Sequence, residues 1–276
     1  MMSEDFTDLT VGILHPGAMG VAVAAACIAD TIWCSEGRSA ATGDRASTAH
    51  LEAVPTLDEL VERSSVIVSV CPPSSAIDVA DSVAALGYDG IYVDANAVAP
   101  ATAQEIAERF ESFVDAGIIG LPPTTAGTTR LYLSGARAGQ VAGLWAGSVL
   151  DARVIDGGSG AASALKLAFA TWTKASAAML LSVRAFAASE QVEDALLEEW
   201  AISQPGIAER SEATAASVAP KAWRFEGEMA EIAAAMAIHD LPTGFAAAAG
   251  EVYSRLAEFK DRSDVSTEEV VDRLRS

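Results

Sequence analysis

Two sets of residues in this chain have types and spacings that could do chemistry. The first is His15-Pro16-Gly17-Ala18-Met19-Gly20, which follows the apolar run Val11–Leu14 and opens the Ala-rich run Val21–Ala29. It reads as strand, tight turn and helix. A helix N-terminus offers unpaired N–H groups and the positive end of its dipole, so it suits a pyrophosphate. Gly17 and Gly20 fall where backbone must come close, first to a ligand and then to a neighbouring strand. The dinucleotide fingerprint is G-x-G-x-x-G, and here His15 holds the first glycine position. Gly-rich turns after strands are common, so the segment alone fits a nucleotide site and an ordinary turn equally. The second set is Ser163, Lys166, Thr173 and Lys174, close to one face of an otherwise apolar helix. A lysine there is costly unless it is paired or lines a polar cavity. Its ammonium can titrate toward neutrality when desolvated, which suits a general acid or base. A lysine that snorkels to solvent or to a partner subunit fits the same pattern.

A third cluster, Ser35-Glu36-Gly37-Arg38-Ser39 with Arg45, follows the short apolar run Thr31–Cys34. In a dinucleotide fold the end of the second strand meets the adenosine ribose. Glu36 there argues for NAD, through the 2′-hydroxyl. Arg38, Ser39 and Arg45 argue for NADP, because a charge-assisted contact to a 2′-phosphate needs such a cluster. NADP is favoured, with NAD as the alternative; a solvated charged loop explains the same residues without a ligand.

These residues need a scaffold, and the chain supplies one. Strands are expected at 10–14, 31–34, 49–54, 66–70, 91–94, 113–119, 131–134 and 149–155, with helices near 57–64, 75–86, 101–111 and 137–147. Val66–Val70 is an apolar run but for Ser69, the mark of a strand buried on both faces of a parallel sheet. Such alternation predicts an α/β, Rossmann-type doubly wound domain with its ligand at the C-terminal strand ends. After Asp156-Gly-Gly-Ser-Gly160 the pattern turns helical: 161–189, 192–203, 207–218, 225–239, 243–260 and 267–275. The boundaries expected are 1–157 for the dinucleotide-binding domain and 158–276 for an all-helical domain. The helix at 161–189 is apolar nearly all round, so it should be buried.

Composition bounds the partners. The chain has 276 residues and a formal charge of −20, which argues against nucleic acid or an anionic membrane. Cys27, Cys34 and Cys71 fit no metal spacing and read as small core residues. The acidic start Met1–Asp8 is not a signal peptide, and Lys166, Lys174 and Arg184 interrupt the longest apolar stretch. A soluble cytoplasmic protein is expected.

Five segments in order then resemble one family. Gly17–Gly20, Cys71-Pro72-Pro73, Val93–Pro100, Phe113–Gly120 and Gly158–Lys166 are similar to the motifs of the β-hydroxyacid dehydrogenase / 6-phosphogluconate dehydrogenase superfamily. More closely, they resemble its branch of putative phosphogluconate dehydrogenase-like proteins with a C-terminal domain of unknown function. The resemblance implies that Lys166 is the catalytic lysine. It implies that His15 through Gly20, Ser35, Arg38, Ser39, Cys71, Pro72, Pro73 and Asn96 meet the cofactor. Asn96 stands where the family has a Ser. The family's substrate loop D-A-P-V-S-G-G reads Asp115-Ala-Gly-Ile-Ile119-Gly120-Leu121, and the Asn four residues after the lysine is Ala170. Substrate contacts are accordingly expected from Asn96, Ile119, Gly120, Leu121, Ala170 and Lys174. A retained lysine with apolar Ile119, Leu121, Phe169 and Ala170 implies the same reaction type on a less polar substrate. The expectation is hydride transfer between a nicotinamide and a small carbonyl or alcohol, in a cleft between the domains of a homodimer. An imine reductase on the same scaffold and a non-catalytic NADP-binding sensor are the alternatives.

Overall fold

The computed structural model describes residues 9–276; the acidic Met1–Asp8 segment, and with it the signal-peptide reading, lies outside them. The chain divides into two compact units that meet at Leu167/Ala168.

The first unit holds one eight-stranded sheet. Its strands are β1 (Thr10–Leu14), β2 (Asp30–Cys34), β3 (Glu52–Val54), β4 (Val66–Ser69), β5 (Ile91–Asp94), β6 (Ser112–Ile119), β7 (Thr129–Ser134) and β8 (Leu150–Val154). The order is β3-β2-β1-β4-β5-β6-β7-β8. The six strands from β3 to β6 are parallel and carry the Rossmann order, which reverses direction between β1 and β4. Helices α1 (Ala18–Ala25), α2 (Ala40–Thr48), α3 (Leu57–Arg63), α4 (Ala76–Ala84), α5 (Pro100–Ala107) and α6 (Ala138–Ala142) connect them. Alternating strand residues feed two cores. Val66, Val68, Val93 and Val114 pack in one; Ile67, Tyr92 and Phe113 pack in the other, against Ile106 of α5. This burial on both faces is what the apolar runs required. The expected Rossmann-type α/β fold followed by a helical region is the fold found.

Two local expectations are corrected. Residues 40–48 form α2, because the Ser39 hydroxyl accepts from Thr42 N–H and starts a helix. That leaves β3 only Glu52–Val54 of the expected 49–54. Strand alternation also breaks at β6–β7, which pair antiparallel through a helix-free loop.

Helix α7 (Ala161–Ser189) begins in the first unit and continues into the second. The second unit adds α8 (Glu193–Ser203), α9 (Ile207–Val218), α10 (Ala222–Ile238), α11 (Gly244–Arg255) and α12 (Thr267–Arg275). The last has a full capping box: Ser266 Oγ accepts from Glu269 N–H while the Glu269 carboxylate accepts from Ser266 N–H. The expected burial of α7 is not seen in the single chain. Phe169, Trp172, Met179 and Phe186 are exposed, Trp172 and Phe186 at 67%. They recur at spacings of three and seven, so they fall on one stripe of the helix. Among the described residues no helix is long and apolar enough to cross a membrane.

Candidate active site

The turn after β1 is built by two glycines with different jobs. A Cβ on Gly20 would lie 2.8 Å from the His15 carbonyl oxygen and 3.6 Å from Val70 Cβ. Only glycine lets α1 pack that close to its own entry turn. A Cβ on Gly17 would meet only the His15 oxygen, at 4.0 Å, so the folded chain itself does not demand glycine there. Gly17 is the N-cap of α1 and has no side chain to offer, so no capping side chain satisfies the first N–H groups of the helix.

His15 occupies the first fingerprint position with φ +62°. A side chain in that left-handed region costs about 1–2 kcal/mol. Its Nδ1 is buried and has no hydrogen-bond partner. Burial first, and the nearby positive Arg38 second, hold its pKa down to about 4, so the imidazole is neutral at pH 7. Arg38 Nε is likewise buried without a partner. Arg38 also acts electrostatically on Cys34 and Cys71, so its guanidinium lies toward the ends of β2 and β4. The other residues expected at the ribose are occupied. Ser35 Oγ donates to the Val54 carbonyl at 3.1 Å. Ser39 Oγ caps α2 and shares a hydrogen bond with Thr42. Arg45 donates to Thr42 Oγ1 at 3.0 Å.

Asn96 ties two strand ends together. It is buried; its Oδ1 accepts from Cys71 N–H at 2.6 Å, and its Nδ2 donates to Ser69 Oγ at 3.1 Å. It therefore shapes the Cys71-Pro72-Pro73 loop from beneath, with one acceptor and one donor position left on its amide. The three cysteines are free thiols. Cys34 and Cys71 are buried, and burial pushes all three thiol pKa values up, as small core residues require.

Between β4 and β7 runs a row of polar side chains. Ser69 is in register with Asp94, Asp94 with Asp115, and Asp115 with Ser134. Register partners point to one face of a sheet, and all four are buried. The row receives the N-terminus of α7. Asp115 Oδ1 accepts from Ser163 Oγ at 2.6 Å, and Oδ2 accepts from Ser163 N–H at 2.9 Å and from Ser134 Oγ at 3.2 Å. Ser134 Oγ in turn accepts from Ala162 N–H at 3.1 Å. Asp115 is thus a cap supplied from another element, and its charge meets the positive end of the helix dipole. Two residues on, and so on the same face of β6, a Cβ on Gly117 would lie 2.7 Å from the Ala162 carbonyl oxygen and 3.2 Å from Lys166 Cβ. Glycine at 117 lets the first turns of α7 sit directly on the strand, and this seats Lys166 over the row.

Asp94 differs from its neighbour. Its Oδ1 accepts from Asn96 N–H at 2.9 Å, while Oδ2 is buried without a hydrogen-bond partner. Burial raises its pKa to about 6, the negative Asp115 adds to the rise, and Asn96 N–H and Lys166 oppose it.

The structure therefore brings His15–Gly20, Arg38, Cys71 and Asn96 to the C-terminal strand ends of the first unit, with Lys166 over the row on the β5 and β6 side. Ile119 ends β6 and is buried; Gly120 has φ +134°, and Leu121 is 73% exposed. Ala170 and Lys174 belong to the second unit. There Lys174 Nζ pairs with Glu228 at 2.8 Å and lies 5.1 Å from the Phe225 ring centroid. Thr173, on the same helix, donates back to the carbonyls of Phe169 and Ala170. The residues that sequence reasoning left without a role are Asp94, Asp115, Ser69 and Ser134. The available signal was an aspartate inside the apolar run 113–119 and another closing 91–94.

Comparison with known proteins agrees with this architecture. Residues 187–256 match the domain of unknown function DUF1932. An uncharacterised 28.5 kDa protein of Methanothermus fervidus is 34% identical over 167 residues, which cover 60% of this chain and 64% of that protein, just under two thirds of its length. A conserved protein of unknown function, whose structure is described as similar to 3-hydroxyacid dehydrogenases, superposes with a TM-score of 0.77 at 24% identity. That match covers 93% of this chain and all of that one. The 3-hydroxyisobutyrate dehydrogenase of Mycobacterium tuberculosis gives 0.71 at 15% identity, covering 97% and 99%. The chain shares its fold with these dehydrogenase-like structures, and its residues 187–256 match DUF1932.

Proposed function

We propose that the first unit binds a nicotinamide dinucleotide at the β1–α1 turn and that the protein is an NAD(P)-dependent oxidoreductase acting on a small carbonyl, alcohol or imine carbon. One observation carries this reading. At the switch point of a Rossmann sheet, an uncapped helix N-terminus, an unpartnered His15 Nδ1 and an unpartnered Arg38 Nε come together. Buried polar groups are rarely left unpaired in a folded protein, and these suit a phosphate-bearing ligand. Bound there, a nicotinamide cofactor supplies hydride chemistry. The α1 N–H groups and Arg38 would hold its phosphates, and Gly17 would leave the approach open. Asn96 braces the Cys71–Pro73 loop. Lys166 Nζ holds the proton that a substrate oxygen or nitrogen gains on reduction and loses on oxidation.

Arg38 favours NADP over NAD, since Glu36 is the competing acid on the same loop. The apolar residues Ile119 and Leu121 favour a substrate less polar than a small hydroxy acid. The stripe Phe169, Trp172, Met179 and Phe186 supports a homodimer. Fluorescence on mixing with NADPH and NADH, followed by a panel of aldehydes, keto acids and imines, tests the reading. We expect NADPH to bind more tightly and an uncharged carbonyl or imine to be reduced. Absence of binding by both cofactors sinks it; efficient turnover of 3-hydroxyisobutyrate sinks the substrate part alone.

A further inference from the structure

The reading above gives Lys166 a proton to hold but does not say what governs that proton. Asp94 is 1% exposed, stands beside Asp115 in register, and keeps one carboxylate oxygen without a hydrogen-bond partner. Asp115 has no such vacancy, because two serine hydroxyls and one helix N–H fill it. Lys166 is held over this row by the missing side chain at Gly117. We propose that Asp94 is a positioning residue that sets the charge state of Lys166: the ionised carboxylate holds the ammonium, and the protonated acid releases it. Two carboxylates side by side, one saturated with donors and one not, divide their work in this way.

The other groups around Asp94 are few. β4 and its exit contribute Ser69 and the Cys71 thiol, β5 contributes Tyr92 and Asn96, β6 contributes Asp115, and α7 contributes Lys166. Among the described residues, Lys166 is the cation that acts on Asp94. Burial lifts the Asp94 carboxyl to about 6, so it changes charge close to neutral pH, where a ionisable partner for a catalytic lysine is useful. The exchange is of protons alone, between the Asp94 carboxyl, Lys166 Nζ and water.

This inference rests on the proposed role of Lys166, so its experiment uses neither cofactor nor substrate. Brief acetic anhydride labelling of the full chain across pH, with the Lys166 peptide quantified by mass spectrometry, gives the lysine's titration midpoint. In Asp94→Asn that midpoint should fall by about one pH unit, as loss of a nearby opposite charge does, while the exposed Lys221 is unmoved. An unchanged Lys166 midpoint overturns the proposal. Should Asp94→Asn fail to fold, the converse decides. In Lys166→Met, the ¹³C carboxyl titration of Asp94 should move to higher pH; no movement overturns the proposal. A coupled pair in a protein that binds no nicotinamide would leave this inference standing and remove the proposed function. An uncoupled pair in a protein that binds NADPH would do the reverse.

Discussion

The turn after β1 and the ends of β5 and β6 solve the same problem, polar groups at the edge of an apolar core, in opposite ways. At the turn, His15 Nδ1 and Arg38 Nε are left without partners, and no side chain caps the first N–H groups of α1. At β5 and β6, Asp115, Ser134 and Ser163 hydrogen-bond one another and the start of α7, Asn96 ties Cys71 to Ser69, and one oxygen of Asp94 and the Tyr92 hydroxyl are left over. An unmade hydrogen bond on a buried group costs about 1–3 kcal/mol. The vacancies at the turn gather at an uncapped helix N-terminus, whereas those at β5 lie beside the Asp115–Ser134–Ser163 network that holds the start of α7. The difference separates a surface prepared to receive a ligand from a scaffold prepared to hold a lysine still.

Substitutions at each end should therefore fail differently. The largest effect is expected at the braced end. Lys166→Ala should lower turnover about 10²–10⁴-fold, the worth of general acid catalysis, with cofactor affinity changed little. Parallel steady-state and binding measurements check both halves, and full activity on any good substrate would make the lysine structural. At the turn, Arg38→Ala should weaken NADPH about ten- to a hundredfold while leaving NADH nearly unchanged, since a charge-assisted contact is worth about 1.5–3 kcal/mol. Equal affinity of the unmutated protein for both cofactors would shift the assignment to Glu36.

Gly20→Ala tests packing rather than binding. Its Cβ must push against the His15 carbonyl, and overpacking of this kind costs about 1–3 kcal/mol. A lowered thermal midpoint without any ligand is expected. A smaller effect should appear in the pH dependence of stability. His15 has a folded pKa near 4 against 6.5, so between those values only the unfolded chain takes its proton. Stability from this group is full above pH 6.5 and is lost as pH falls toward 4. Asp94, raised from 3.8 to about 6, does the opposite: the folded protein takes its proton first, so acidification from 6 to 4 adds stability. His15→Gln should remove the first slope and leave the second. Its melting temperature should hold up better than that of the unmutated protein between pH 6.5 and 4, by a few degrees at most. Identical pH profiles would show that His15 is not desolvated as described.

Much of this was legible from residues alone. The run Val66–Val70, apolar apart from Ser69, marked β4 because strands buried on both faces are mostly apolar. The α7 limits, 161 and 189, followed from a Gly-rich entry and a long helical period. The fingerprint gave the open turn because its requirement is local: two glycines within four residues. The braced end was hidden because it depends on register. Nothing near Asp94 in sequence says that it stands beside Asp115, and nothing near Asp115 says that it caps a helix beginning at Ala161. Helix α2 was missed because Ser35–Arg45 is polar and Gly-containing, and its Ser39 cap was read as a ligand contact. The exposed stripe on α7 shows a limit of another kind. Hydrophobicity says that a surface is to be covered, not that its own chain covers it.

The claim that the β1–α1 turn receives a dinucleotide is tested most directly at Gly17, where the folded chain has room for a methyl group and a bound pyrophosphate would not. NADPH should bind the unmutated protein and bind Gly17→Ala at least about tenfold more weakly, with the thermal midpoint of the free protein unchanged. Equal NADPH affinity in the two proteins, or no binding to either, would contradict it.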